Sequence, residues 1–432
     1  MRNKVHFIGI GGIGCSALAR YYLAKGWEVS GSDLAPSEIT TNLEAEGVRI
    51  FSGHRPANVA PETKLVIYSA AVKNDNDELR EAKFLKIPCR SYAQSLGDLT
   101  KQYLTVAVAG AHGKSTTTAL LSLMLIKAGL DPTVIIGTRL REFKGSNFRL
   151  GQSRYLVIEA DEWNNSFHHY SPAIAVVTNV DKEHLDTFGD LNGVIKSFNQ
   201  YLRSLPKGAT AVVNKNNSHT EKIIRGLRCR ISMFGGLTPK HWPLRIPGQF
   251  NQLNAEAAWQ AARILGVPKG VAVKAVASYQ GSWRRLERLE LPGLVSKKEK
   301  LRGIFYSDYA HHPTEIRATV AALKEKHPRQ KLLVVFQPHQ RQRLTYLFND
   351  FTRCFAGADQ VALLPVYDVA GREAAGGKTS QELAREIARG QPAIYLKDFS
   401  DAFKMIKGQT VVFMGAGDID KEVRKYFRSR LI

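Results

Sequence analysis

The segment Leu104–Thr116, LTVAVAGAHGKST, constrains this chain more than any other. An apolar, β-branched run, Leu104–Ala109, leads into the loop Gly110-Ala111-His112-Gly113-Lys114-Ser115-Thr116. Thr116–Ala128 then reads as a helix stopped by Gly129. Strand, glycine turn and helix in this order make a phosphate cradle. Glycines let backbone N–H groups approach the oxygens, Lys114 brings a positive charge, and the helix N-terminus adds its dipole. Ser115 can offer a hydroxyl to Mg²⁺. The strict G-x-x-x-x-G-K-[ST] pattern is not met, because Val108 stands at its first position. The remaining G-x-x-G-K-S-T still points to ATP; the plain alternative is a glycine turn followed by a lysine.

A nucleoside triphosphate needs a divalent cation, so hard ligands belong near the ends of neighbouring strands. Glu159 ends the apolar strand Tyr155–Glu159, and His184 lies just beyond the strand Ile174–Asn179. In an α/β sheet, ligands bind outside the carboxyl ends of strands, which places both groups beside the loop as Mg²⁺ ligands with Ser115. Taken singly, each could be an acidic turn or a surface histidine.

A second glycine pattern opens the chain. Val5–Ile10 reads as a strand, Gly11-Gly12-Ile13-Gly14 as a turn and Ser16–Lys25 as a helix. Trp27–Gly31 follows as a strand closing on Asp33. Gly9-x-Gly11-x-x-Gly14, with Asp33 about 20 residues on, has the form of a dinucleotide fingerprint.

Strands alternate with helices to the end. Asn254–Leu265 reads as an amphipathic helix. After Trp283 come a strand Gly303–Asp308, a helix Pro313–Lys326, a strand Lys331–Phe336, a helix Leu344–Phe355 and a strand Gln360–Leu364. Ser380–Arg389 as helix, Thr410–Met414 as strand and a short terminal helix complete the pattern. This alternation predicts an α/β protein with largely parallel sheets. Its 432 residues suit three domains, at 1–98, 99–283 and 284–432.

The net charge of +22 favours anionic ligands. Its basic residues are dispersed, and the densest group, Arg284–Arg302, also contains Glu287, Glu290 and Glu299. Without a basic tail or an aromatic-interleaved patch, a solvated basic surface facing phosphorylated substrates is expected, and not nucleic-acid binding. Cys15, Cys89, Cys229 and Cys354 are scattered without metal-ligand spacing, which fits reduced thiols in a cytoplasmic enzyme. No apolar run of about 18 residues predicts a membrane span.

The segments GAHGKSTTTALLSLML, VIEADEWNNSF and AVVTNVDKEHLDTF together resemble the Mur ligases, ATP-dependent amide-forming enzymes of peptidoglycan synthesis. The likeness is colinear through VHFIGIGGIGCSALA, WRRLE, DYAHHPTEI, FQPHQRQR and FMGAGDID. It implies an N-terminal Rossmann-like domain, a central P-loop ATPase domain and a C-terminal Rossmann-like domain. Gly11, Gly12, Ile13, Gly14 and Asp33 would then hold the UDP part of UDP-N-acetylmuramate, not NAD. The loop Gly110–Thr116 would hold ATP, with Asn251 and Asn254 at the adenine and Arg285 and Asp308 near the nucleotide. Tyr309, His311 and Arg343 would serve the acyl substrate and L-alanine. Lys114, Glu159, His184, Arg285 and His311 would carry catalysis, with Ser115, Glu159 and His184 on Mg²⁺. On residue type alone, Arg284-Arg285 could equally be a solvated face and His311-His312 a helix cap. Three places depart from the family pattern: Gln340 for an arginine, Phe250 for a histidine, and Trp163-Asn164-Asn165 for small and acidic residues. Rival readings are a ligase for a preformed peptide, a non-catalytic nucleotide-binding regulator and, from the first glycine pattern alone, a dehydrogenase. A monomer or homodimer is expected.

Overall fold

The computed structural model describes residues 2–236, 241–289, 303–368 and 376–429. These form two compact units: Met1–Lys182 with Leu191–Pro243 and Leu253–Tyr279, and Glu183–Asp190 with Leu244–Gln252 and Gln280–Ile432. The first unit contains two sheets and the second contains one.

The first sheet is built from β1 (Lys4–Ile8), β2 (Glu28–Asp33), β3 (Arg49–Ser52), β4 (Leu65–Tyr68) and β5 (Cys89–Ser91), ordered β3-β2-β1-β4-β5. Every pairing is parallel. Its helices are α1 (Ile13–Ala24), α2 (Glu38–Ala45), α3 (Asp77–Phe84) and α4 (Tyr92–Thr100). The sequence marks their starts with oxygen-bearing caps. Ser37 and Ser91 form capping boxes with Thr40 and Gln94, and Asn76 accepts from Glu78 and Leu79 N–H groups.

The second sheet comprises β6 (Leu104–Ala109), β7 (Thr133–Leu140), β8 (Ser146–Arg149), β9 (Tyr155–Glu159), β10 (Ile174–Val177), β11 (Thr210–Asn214) and β12 (Arg230–Phe234). In the order β12-β11-β10-β6-β9-β7-β8, only the edge strand β8 runs antiparallel. The inner strands β10 and β11 are buried along their whole length, as unbroken apolar runs require. From β6 the chain passes through the glycine loop into α5 (Lys114–Lys127).

Polar contacts stitch the two sheets of this unit together. Asn147 on β8 donates to the Ile13 carbonyl at 2.6 Å and to Ser16 Oγ at 3.0 Å, both on α1. Arg20 of α1 donates to Asn147 Oδ1 at 2.8 Å, and Arg139 of β7 donates to Glu38 of α2 at 2.7 Å. Gly97 lets α4 lie against the turn Trp163–His169, where a Cβ would stand 2.5 Å from the His169 carbonyl oxygen.

The second unit's sheet holds β13 (Glu287–Arg288), β14 (Ile304–Asp308), β15 (Leu332–Phe336), β16 (Gln360–Leu363), β17 (Ala393–Tyr395) and β18 (Thr410–Met414), ordered β13-β14-β18-β15-β16-β17. All but β13 are parallel. The expected α/β class with largely parallel sheets holds. The helix expected at Ser16–Lys25 already begins at Ile13, and two further elements differ more. The helix expected at Leu344–Phe355 is split into Arg341–Tyr346 and Phe348–Phe351. Leu344, Leu347, Phe351 and Phe355 all enter one buried cluster, so core packing and not an unbroken hydrogen-bond ladder sets the path. The helix expected from Asn254 starts earlier and spans Gln249–Ile264, entered through Gly248 at φ +101°. Residues of the basic group beyond Leu289, Glu290, Glu299 and Arg302 among them, lie outside the described residues. All four cysteines are free thiols, and no described helix is long and apolar enough to cross a membrane.

Candidate active site

The first glycine turn is fastened from the end of β2. Ser32's carbonyl accepts the N–H groups of Gly9 (2.9 Å) and Ile10 (3.0 Å), and Asp33 Oδ2 accepts that of Gly11 (2.8 Å). Gly9 needs its missing side chain because its φ is +77°. Gly14 needs it for space, since a Cβ would meet the Tyr92 ring at 2.7 Å. Gly12 caps α1, so Ile13 and Gly14 enter a helix N-terminus. Beneath the turn lies a carboxylate that sequence reasoning missed. Glu78 is fully buried and accepts from Ser32 Oγ and Asn58 Nδ2 at 2.5 Å, with His6 Nε2 at 3.3 Å. Burial opposes its ionisation, yet hydrogen bonds from His54, His6, Ser32 and Asn58 hold its pKa far below the usual carboxylate range.

The second loop sits where β6 lies between β10 and β9, so both neighbouring strand ends reach it. From the β10 side, Asn179 Oδ1 accepts His112 N–H at 2.9 Å, and the Asn179 carbonyl accepts Ala111 N–H at 3.2 Å. Thr178 Oγ1 donates to the His112 carbonyl at 2.6 Å, and His112 Nε2 lies 3.0 Å from Asp181. Gly110 (φ +130°) and Gly113 (φ +81°) supply the left-handed turns. At Gly113 a Cβ would stand 2.3 Å from Asn254 Oδ1, which places Asn254 against the loop. Thr116 is buried in the first turn of α5.

Lys114 Nζ donates to the Gly110 carbonyl at 2.7 Å and to both oxygens of Glu162 at 2.9 and 3.1 Å. Burial alone would lower the ammonium's pKa. Glu162 first, then Asp161 and Glu159, outweigh it and raise the value. From the β9 side, Glu159 Oε2 accepts Ser115 Oγ at 3.2 Å while its Oε1 accepts Gly137 N–H at 2.7 Å. A hydroxyl and a carboxylate oxygen thus meet at the start of α5, a donor set that suits a hard cation.

In the second unit Asp308 ends β14 and accepts the N–H groups of Leu286 (2.6 Å) and Ala310 (2.7 Å). Burial raises its pKa to about 6 against those bonds and Arg285. Arg284 is structural: buried, it donates to the Gly415 and Gly417 carbonyls. Its guanidinium and that of Arg285 lie 4.9 and 5.0 Å from the Tyr309 ring centre. His312 is the cap of the helix Pro313–Lys326, so the helix-cap reading holds for that histidine. His311 Nδ1 lies 2.9 Å from the Tyr309 carbonyl, which fixes the proton there and leaves Nε2 as an acceptor. Burial, then Arg343, lower its pKa to about 4.

Arg343 does not stand open. It donates to Glu183 Oε2 at 3.1 Å, and its Nη1 lies 3.2 Å from His339 Nδ1. Burial works against the Glu183 carboxylate, but Arg343, then His312, His184 and His311, hold its pKa well below normal. Glu183 was missed from sequence, although it immediately precedes His184. That histidine adopts φ +53° and caps the short helix Leu185–Phe188. Asn251 lies in the first turn of its helix, its amide donating to the Pro247 carbonyl at 2.6 Å. Phe250 packs on the second unit's apolar core. Gln340 takes φ +66°, its N–H bonded to the Tyr367 carbonyl at 2.9 Å.

Family models cover most of the chain: the Mur ligase family catalytic domain at residues 4–104, the Mur ligase middle domain at 108–242 and the Mur ligase glutamate ligase domain at 285–417. The chain belongs to the Mur ligase family. It is an ATP-using ligase on that ground. The UDP-N-acetylmuramate–L-alanine ligase of Aquifex aeolicus is 37% identical, with 99% of this chain and 97% of that protein aligned. That of Bdellovibrio bacteriovorus is 36% identical over 96% of each. Among solved structures, the UDP-N-acetylmuramate–alanine ligase of Thermotoga maritima superposes with a TM-score of 0.79, 26% identity and coverage of 99% and 98%. A murein peptide ligase from Psychrobacter arcticus shares the fold at 23% identity and a TM-score of 0.71, covering 99% and 98%.

Proposed function

We propose that this Mur ligase uses ATP to join L-alanine to the lactyl carboxylate of UDP-N-acetylmuramate, in peptidoglycan precursor synthesis. One observation carries the ATP chemistry: a formed phosphate loop with Lys114 anchored on Glu162 and Ser115 on Glu159. The end-to-end likeness to L-alanine ligases supports the substrates. The chain divides for this purpose into a sugar-nucleotide domain (1–98), an ATPase domain (99–283) and an acceptor domain (284–432). We further infer a cytoplasmic monomer or homodimer.

In this reading the lactyl carboxylate attacks the γ-phosphorus, giving an acyl phosphate and ADP, and the amine then displaces phosphate through a tetrahedral intermediate. Lys114 spreads the transferred charge, as does Arg285, and no side-chain nucleophile is needed. Mg²⁺ held by Ser115 and Glu159, with His184 at a second ion, would supply further charge neutralisation on the phosphates. Gly11, Gly12, Ile13 and Gly14 offer the diphosphate a helix N-terminus, and Asp33 the ribose an acceptor. Asn251 and Asn254 serve the adenine, and Asp308 the nucleotide. Neutral His311, beside Tyr309, accepts a hydrogen bond from the incoming amine. Arg343 exchanges Glu183 for the alanine carboxylate.

The decisive assay follows phosphate release from Mg-ATP with UDP-N-acetylmuramate and each of L-alanine, L-serine, glycine and the preformed tripeptide. L-Alanine should be preferred. Preference for the tripeptide would install the recycling-type ligase instead. Hydrolysis indifferent to both sugar and acceptor would remove the ligase reading altogether.

A further inference from the structure

All strands of the first sheet are parallel, so its two edges are chemically different. The glycine turn lies at the carboxyl edge. At the opposite edge, where β2 and β4 begin, a cleft of about 410 Å³ opens between the C-terminal half of α1 and α4. Its volume falls in the range of small-molecule sites, roughly 300–1,000 Å³. Leu18, Leu65 and Leu99 form apolar walls, and Tyr22 and Trp27 add an edge-to-face aromatic pair with centroids 5.1 Å apart. Lys25 and the exposed Arg90 supply positive charge. Asp98, the acid in the lining, lies 3.1 Å from Lys101 and 4.0 Å from Arg90.

Ser95 lines it as well, with its hydroxyl turned into the protein and only 6% of the residue exposed. None of these residues belongs to the sugar-nucleotide or ATP sites described above.

We propose that the cleft is a second ligand site, taking a flat aromatic ring that bears an anionic group. The ring would lie among Leu18, Leu99 and the Tyr22–Trp27 pair, with the anion towards Lys25 and Arg90. Its walls are the same two helices that meet at the glycine turn, where Gly14 of α1 packs on Tyr92 of α4.

The test uses the full chain saturated with UDP-N-acetylmuramate and Mg-ADP, and the probe 8-anilinonaphthalene-1-sulfonate, followed by its fluorescence. Probe binding should persist under saturation. The double variant K25E/R90E, altered only at the cleft, should weaken it about tenfold or more with unchanged kcat. Complete displacement of the probe by the substrates overturns the proposal. So does equal probe affinity in wild type and K25E/R90E.

Discussion

The two glycine turns share one recipe, strand then glycine loop then helix, and both stand among carboxylates, yet only the second brings a lysine of its own. The first is backed by carboxylates: Asp33 on the Gly11 N–H and Glu78 below Ser32. The second carries its own cation, Lys114, set against Glu162. In the first, an acceptor near the turn suits the hydroxyls of a ribose beside a diphosphate. In the second, a lysine among carboxylates suits a phosphate chain that arrives with metal. The backbone pattern suits an anion in either turn; the side chains one strand away carry the proposed division between sugar nucleotide and ATP.

That contrast can be broken at four points. Lys114→Ala should reduce kcat by about 10³-fold, the scale of a lost charge stabiliser in the transition state. Calorimetry should still show normal binding of UDP-N-acetylmuramate, because nothing at the first turn changes. Equal damage to both ligands would mean that the loops are not separate. Glu78→Ala should cost about 3 kcal/mol of stability, since His6, Ser32 and Asn58 lose a buried ionic acceptor. The sign with pH is definite. Glu78's folded pKa is depressed, so its contribution is present above the ordinary carboxylate pKa and is lost as pH falls towards the depressed value. Melting curves from pH 7 to pH 3 should therefore converge between wild type and variant on the acid side; parallel curves would dismiss the ionised network.

Asp33→Ala should raise KM for the sugar nucleotide roughly tenfold, with KM for ATP unmoved, because the variant leaves the Gly11 N–H without its acceptor. A shift in the ATP value alone would reverse the assignment of the turns. Smallest is Gly14→Ala, expected to destabilise by about 1–2 kcal/mol as its methyl presses on Tyr92. Chemical denaturation would measure it, and an unchanged midpoint would show that α1 and α4 adjust freely.

Both turns were legible in the sequence because glycine spacing, entering strand and leaving helix are local. So was Glu159, the last residue of an apolar strand, and it does meet Ser115. The partners that complete each site were not legible, for a physical reason. Lys114 and Glu162 are 48 positions apart, and the bond from His112 N–H to Asn179 spans 67. Such pairs exist only because parallel strand order puts β9 and β10 on either side of β6. Arg343 shows a different limit. The family resemblance assigned it to the acyl substrate and L-alanine, but nothing local revealed that Glu183, 160 positions away, already holds the guanidinium.

The seam between the first two sheets has a practical consequence. Asn147 and Arg20 tie α1 to β8, so the two glycine loops, the proposed nucleotide cradles, belong to one compact unit. A two-headed inhibitor that reaches from the diphosphate turn to the ATP loop therefore needs no slack in its linker. A stiff connector, cut to the fixed span, would lose the least entropy on binding and should outperform a flexible one of equal length.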